Sequence, residues 1–225
     1  MTRRGGWMGM AALAVLATAG SARAQEVNLA TLDDGPSNRV HVRTGAEHGF
    51  VAGVGYSRAV SVLGRRLLLT GDLTVPWAEV DASDYRVRAG ALVPIVGSRR
   101  WKLAGSLAPT LRGTRNDTGR MTSAGADLGL TGGFYARRWF AASELGFDWA
   151  MSTHVDHNAR YRAVVFEGAR DGWYRNPGGN FRAGLQAGAS FGRHDLVLRL
   201  GALREAGGQA PLLPLYGTLT FDTRW

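Results

Sequence analysis

The stretch from Met151 to Gly179 carries the side chains best suited to chemistry in this sequence. His154, Asp156 and His157 stand close together in it, and Asp148 precedes them by a few residues. Imidazole and carboxylate groups at this spacing suit a divalent metal, or a His/Asp pair that activates water. The alternative is a folded surface loop whose polar groups bond one another while its aromatic residues pack nearby. We expect the folded loop.

The residues around this stretch alternate between apolar side chains and small or polar ones. In the segment 101–112, for example, Trp101, Leu103 and Leu107 fall on one parity, while Lys102 and Arg112 fall on the other. Alternation with a period of two is typical of a β-strand. The pattern predicts strands at 39–44, 48–60, 67–78, 84–96, 101–112, 122–134, 139–150, 181–191, 196–204 and 213–225.

Short basic connectors join these strands in pairs. They occupy residues 63–66, 97–100, 136–138 and 192–194, and each contains at least one arginine. Four hairpins and the terminal strand make nine strands, and because single-chain bacterial barrels close with an even number, 39–44 is the natural tenth. The fold class predicted is all-β, an up-and-down antiparallel transmembrane β-barrel of about ten strands, with eight strands as the alternative.

The N-terminus has the features of an export signal. Arg3 and Arg4 precede an apolar run, and Ala22-Arg23-Ala24 is a small-x-small cleavage pattern, so residues 1–24 are predicted to be a cleaved signal peptide. Residues 25–38 would then form a short polar periplasmic segment, and 39–225 the barrel, with a long extracellular loop at 151–179. The chain has no cysteine, which excludes disulfides and a lipidated N-terminus.

The formal net charge of +9 is modest once the leader arginines are set aside, so no nucleic-acid partner is expected. No cofactor and no bound metal is expected either.

Two features favour a membrane barrel over a soluble one. The polar parity is rich in Gly, Ala, Ser and Thr, whereas a soluble exterior would carry more lysine and glutamate. Aromatic residues recur at both ends of the strands, and Trp139 and Trp149 are separated by a rise of roughly 26 Å, close to the apolar thickness of an outer membrane. The predicted membrane-interface girdle comprises Trp77, Tyr85, Trp101, Phe134, Trp139, Trp149, Phe181, Phe191 and Trp225.

The C-terminal residues carry a family resemblance. Gly217, Leu219 and Phe221 alternate toward a terminal Trp225, and in this the chain resembles the small β-barrel proteins of Gram-negative outer membranes, although Thr223 departs from the pattern. The resemblance is architectural and implies an outer-membrane location. It implies no activity. The partners expected for a barrel in that location are outer-membrane lipid and other envelope proteins, with a small solute only if the barrel is porin-like and conducts.

The polar parity predicts a charged interior. In a narrow barrel such residues should pair across the lumen, because an unpaired buried charge is costly. We therefore expect a mostly filled lumen and a structural or anchoring role, within an envelope-spanning assembly. The alternative is a narrow pore with a slight anion preference. The predicted lumen charge network comprises Arg43, Asp72, Arg86, Arg88, Lys102, Arg112, Asp127, Glu144, Asp148, Arg182, Arg199 and Asp222.

An enzyme is the third hypothesis, and it depends on the His154/Asp156/His157 cluster. Lipid A deacylases are small outer-membrane barrels with a His-x-Ser pair, but Asp156 stands where the serine would be. Omptin-type proteases use paired aspartates and an Asp–His pair on strands much longer than the roughly twelve residues predicted here. We expect no enzymatic activity.

Overall fold

The computed structural model describes residues 26–32, 37–47, 49–77, 83–175, 178–206 and 214–225. The predicted signal peptide, residues 1–24, lies outside these ranges and remains a prediction. Within the described ranges, no helix has both the length and the apolar character needed to cross a membrane.

Eleven strands and one short α-helix account for most of the described residues. The helix, α1, spans Ala159–Val164. The strands are β1 (Asn38–Ala46), β2 (Phe50–Val62), β3 (Arg65–Pro76), β4 (Tyr85–Gly97), β5 (Trp101–Asn116), β6 (Gly119–Tyr135), β7 (Trp139–His157), β8 (Gly172–Arg175), β9 (Gly179–Phe191), β10 (His194–Glu205) and β11 (Leu215–Arg224).

Ten of these strands close into a barrel. Each strand from β1 to β7 pairs antiparallel with the next in sequence, β7 pairs with β9, and β9 to β11 again pair in order. Because β11 also pairs with β1, the ten strands form a closed circle. The four-residue strand β8 pairs with residues 152–155 of β7. The predicted all-β, ten-stranded, up-and-down antiparallel barrel is confirmed.

The two ends of the barrel differ. The end with the short turns also holds the two termini of the barrel, where Asn38 and Trp225 exchange backbone hydrogen bonds of 3.2 and 3.1 Å. We call it the short-turn end. At the opposite end, β5, β6 and β7 are the longest strands, with 16, 17 and 19 residues, and they run on beyond their neighbours. We call it the extended end.

The strand predicted at 139–150 is too short, because β7 continues to His157. The folded loop predicted at 151–179 therefore begins with the last part of β7, and it also contains α1 and β8. The predicted strand ends early for a reason that the register shows. The cause is a β-bulge. The β6–β7 register shifts between Ala124 and Gly125, whose partners are Ser152 and Ala150. A bulge inserts one residue and moves all later side chains to the other parity. The alternation therefore loses phase just where the sequence analysis ended the strand.

The two faces of the barrel wall have opposite character. Large apolar side chains such as Trp101 and Leu185 are exposed on the outside, at 64 % and 67 %. Arginine and carboxylate side chains fill the inside, where Arg39 and Arg199 are almost fully buried. This polarity is the inverse of a soluble barrel and is typical of barrels that face lipid.

The predicted girdle residues lie on the outer surface in two rows. At the short-turn end, Trp101 packs edge-on against Phe134 at 5.8 Å between ring centroids, and Phe134 stacks on Trp139 at 5.1 Å. At the opposite end of the wall, Phe147 contacts Phe181 at 4.5 Å. Phe147 was not among the predicted girdle residues.

Candidate functional site

The interior of the barrel holds several groups of ion pairs, which together we call the lumen network. All twelve residues predicted for it are on inward-facing positions, and Arg86, Lys102 and Arg112 are half-buried while the others are buried. Because side chains at alternate positions of every strand point inward, residues distant in sequence meet across the lumen. The network falls into groups centred on particular carboxylates.

Asp72 and Asp127 form the central group. Asp72 lies 2.8 Å from His41 Nε2, 3.2 Å from Arg43 Nη1 and 2.9 Å from Arg88 Nη2. Arg88 also reaches Asp127 at 3.2 Å. Each carboxylate therefore faces more than one cation, which compensates for the loss of water around them.

A smaller group around Asp148 lies toward the extended end of the lumen. Arg112 donates to Asp148 at 3.0 Å and Arg86 donates to it at 3.3 Å. Arg182 lies below them and donates to the opposite oxygen of Asp127 at 3.3 Å. The charges thus cross-link the barrel wall from strand to strand.

Glu144 is the centre of the next group toward the short-turn end. Arg199 donates through Nε to Glu144 at 3.0 Å and through Nη2 to its second oxygen, the bidentate arrangement that arginine favours. The Tyr216 hydroxyl donates to the same carboxylate. The third donor of Arg199, Nη1, binds Glu26 at 2.9 Å.

A fourth group at the short-turn end was largely missed by the sequence analysis. Arg39 lies 3.3 Å from Asp195 and 3.5 Å from Asp222, and Arg224 lies 3.2 Å from Asp195. Of these residues only Asp222 had been predicted. Asp195 lies just before the predicted strand 196–204, whereas β10 begins at His194. Asp195 has the same parity as Arg199, so the alternation extended backward predicts that it faces inward.

The N-terminal segment Glu26–Leu32 lies inside the barrel, not in the periplasmic space where it was predicted, and we call it the N-terminal plug. Its polar contacts join both sides of the lumen. Asn28 donates to the Ala136 carbonyl and the Ser190 hydroxyl, both at 2.9 Å. Lys102 donates to the Leu29 carbonyl at 3.1 Å. The plug is therefore bonded to the wall at several independent points.

Apolar contacts fix the same segment. Val27, Leu29 and Leu32 are almost fully buried and cluster with inward-facing Leu68 and Val197 from the barrel wall. These wall residues depart from the polar interior pattern, and they lie in the third of the lumen next to the short turns. The apolar plug and the apolar part of the lumen match, which explains why a segment with few charges is accommodated there.

At the extended end, the upper parts of β5, β6 and β7 together with β8 form a sheet that rises beyond the rest of the barrel. We call it the projecting sheet. Helix α1 follows directly on β7, and Asn158 caps this helix by accepting a 2.6 Å hydrogen bond from the Tyr161 backbone NH. Asn158 also donates to the Asp117 carbonyl at 2.6 Å, which ties α1 to the β5–β6 turn.

The structure separates the histidines of the predicted loop cluster. His154 and Asp156 share the outer face of β7, 3.5 Å apart, and His154 packs edge-on against Trp173. His157 points to the opposite face, stacks on Tyr161 and lies 3.1 Å from Asp171. No group of three metal-binding side chains occurs within the described ranges. The geometry gives no shared metal site for His154 and His157.

The His157–Asp171 pair is the closest approach to a catalytic arrangement at the extended end. The strands here are longer than predicted, so strand length no longer argues against an omptin-like site. Asp171 is, however, already engaged: Arg162 donates to one oxygen, and the backbone and ring of His157 approach the other at 2.8 and 3.1 Å. The hydrogen bond from Arg162 is the main cause that lowers the pKa of Asp171 below its usual range. These contacts suit a structural tie that holds α1 to β7.

Comparisons with known proteins find matches for this chain among solved structures, but none among family models or curated proteins. Among solved structures, it is similar to the β domain of the Bordetella autotransporter BrkA, with 15 % sequence identity and a TM-score of 0.41, over 85 % of this chain and 100 % of that chain. A likeness of this degree carries no conclusion about function.

Proposed function

We propose that this protein is an exported outer-membrane β-barrel with a sealed lumen, which anchors its projecting sheet at the cell surface for a partner in the envelope. The observation that carries the proposal is the filling of the lumen by ion pairs and by the N-terminal plug. A solute pore would need a continuous aqueous path.

The outer surface supports the membrane location. Exposed apolar side chains cover the barrel wall between two rows of aromatic residues, and such a surface would aggregate in water. Inside, by contrast, arginine and carboxylate side chains form ion pairs, and Arg199 and Lys102 bond to the plug. A barrel with this polarity is stable where lipid, not water, surrounds it.

Two layers of side chains support a closed lumen. Toward the extended end, Asp72, Asp127 and Asp148 are each bridged to arginines from other strands. Toward the short-turn end, the plug residues Val27 and Leu29 pack against the wall. A solute would have to break both layers in series, so we expect no conduction in the resting protein.

The projecting sheet supports a surface for a partner. At the end of α1, Val164, Val165 and Phe166 are exposed by 75 %, 65 % and 54 %. Consecutive exposed apolar residues on a surface domain commonly mark an interaction site. They lie beyond the barrel wall, so lipid would not cover them.

Conductance separates the sealed barrel from a pore. The purified protein, folded into a planar bilayer at neutral pH, is expected to give no steady current under an applied voltage, because the lumen is blocked at two levels. The control is a known porin inserted in the same membrane. A stable ohmic current with anion preference would contradict the sealed lumen and favour the narrow pore, since arginines outnumber carboxylates in the predicted network.

Crosslinking tests the partner. A photo-reactive residue at Val165 is expected to capture an envelope protein in native cells, whereas the same residue at Leu63 is expected to give a different pattern or none. Leu63 is a matched control because it is 99 % exposed and lies in a short turn at the other end of the barrel. Identical yields at the two positions, or a protein never crosslinked at Val165, would count against an anchoring role.

A further inference from the structure

The outward side of the projecting sheet carries a set of exposed arginines that the lumen network does not use. Arg115 of β5, Arg120 of β6 and Arg175 of β8 are exposed, and Trp173 beside them is exposed by 62 %. We call these four residues the outer basic face. They come from three different strands, and the register of the β5–β6, β6–β7 and β7–β8 pairs places all of them on the same side of the sheet.

The register places two of these arginines directly opposite each other. Arg115 pairs with Arg120 across β5 and β6, and Asp156 is the partner of Arg120 on the other side. Like charges at directly opposed positions repel and destabilise a sheet. Asp156 offsets this only in part, because its carboxylate also lies 3.5 Å from the ring of His154. An anion bound between the guanidinium groups would relieve the repulsion.

The outer basic face continues the lipid-facing wall. Across the bulge, the outward positions of β7 pass from Trp149 to His154, and His154 pairs with Trp173. Arg120 lies six residues along β6 from Ala126, the partner of Trp149. Arg175 is level with Ala124, two residues from Ala126. At about 3.4 Å per residue and a tilt of about 40°, the face therefore begins roughly 5 Å above the aromatic row that contains Trp149, and ends roughly 15 Å above it.

The lower edge of the face, at Arg175, lies at the height of the lipid headgroups, which extend about 5 to 7 Å beyond the hydrocarbon core. The upper edge, at Arg115 and Arg120, lies above that layer, at the height to which the sugar and phosphate groups of a glycolipid extend. Guanidinium groups bind phosphate oxygens in a bidentate manner, and tryptophan prefers the membrane interface. We propose that the outer basic face binds the phosphate groups of phosphorylated glycolipid in the outer leaflet. The proposal rests on the membrane location argued above, and it gives the projecting sheet a lipid-binding side in addition to the partner surface at the end of α1.

Lipid binding can be measured on the whole folded barrel. The protein is purified in neutral detergent and titrated with a bisphosphorylated glycolipid, or with the same lipid after removal of its phosphates, and bound lipid is counted by native mass spectrometry. We expect the phosphorylated lipid to bind and the dephosphorylated lipid to bind at least about tenfold more weakly, since the loss of paired charge-assisted hydrogen bonds is of that order.

A triple variant identifies the site. Arg115→Gln, Arg120→Gln and Arg175→Gln together are expected to weaken binding of the phosphorylated lipid by about tenfold or more. The matched control removes three exposed arginines from the short turns, by Arg65→Gln, Arg99→Gln and Arg193→Gln, and is expected to retain the binding. Heat-dependent gel migration checks that both variants are folded.

Each outcome bears on the proposal. Equal losses in the two triple variants would show non-specific attraction by positive charge and would overturn it. Displacement of the lipid by inorganic phosphate at the same concentration would show a site for free anions, which would overturn the assignment to lipid. A barrel that inserts into bilayers without current but binds no phosphorylated lipid would refute this inference while leaving the sealed anchor intact.

Discussion

Asp72→Ala is expected to lower the free energy of unfolding by about 3 to 5 kcal/mol, which is typical when one partner of a buried ion pair is removed. The Asp72 carboxylate is 1 % exposed and faces the imidazole of His41 and the guanidinium groups of Arg43 and Arg88 at 2.8 to 3.2 Å. Its removal leaves these groups buried with less compensation. The midpoint of urea unfolding, followed by heat-dependent gel migration in detergent or lipid, measures the effect.

Two further substitutions test the interpretation. Asp156→Ala removes the same carboxylate from an exposed position, where its side chain is 57 % accessible, and is expected to change stability by no more than about 0.5 kcal/mol. Asp72→Asn retains the shape of the side chain and one hydrogen-bond acceptor, so its loss of stability is expected to lie between those of Asp72→Ala and Asp156→Ala. If Asp72→Ala and Asp156→Ala proved equally mild, the lumen network would contribute little to holding the barrel closed.

The closed barrel could be predicted from the sequence because a period of two records which face each residue occupies. Once the apolar parity is assigned to the outside, residues such as Asp127 and Arg182 must point into one narrow lumen, although 55 positions separate them. The alternation does not say which cation meets which carboxylate. Partner choice depends on strand register and barrel shear, which the structure gives and the parity does not.

The projecting sheet could not be predicted in this way. The bulge at Met151 changes the parity of β7, so the sequence loses its alternation although the strand continues for several more residues. The outer basic face was missed because the predicted strands ended at 112 and began at 122, short of Arg115 and Arg120. Only the register across the bulge shows that Arg175 lies on the same side of the sheet as these two arginines.

The sequence contains a feature that indicates the N-terminal plug, namely apolar residues among the inward-facing polar ones. Leu68, Leu92 and Val197 are apolar residues on the otherwise polar inward parity, and all three lie toward the short turns. An apolar patch inside a polar lumen must be covered by something apolar. Val27 and Leu29, just after the predicted cleavage site, were the available candidates. Their spacing is too short to show a period, so they resembled a linker.

Removing the N-terminal plug is expected to open the short-turn third of the lumen to water. The chain has no cysteine, so a single Val197→Cys substitution provides a clean probe there. In the intact protein this position is fully buried and should react slowly with a hydrophilic maleimide. In a variant that also lacks Glu26–Leu32, the wall around the probe loses its apolar cover, and we expect labelling to be faster by at least about tenfold.

Two controls make the experiment specific to the plug. Leu63→Cys, in an exposed turn, should label at the same fast rate with and without the segment. A synthetic peptide of the sequence EVNLATL, added to the shortened barrel, should restore protection of Val197→Cys, because Glu26 regains Arg199 and Thr218 and the apolar side chains regain the wall. If Val197→Cys remained protected in the shortened barrel without added peptide, the lumen network alone would exclude water. The plug would then occupy a lumen that is closed without it.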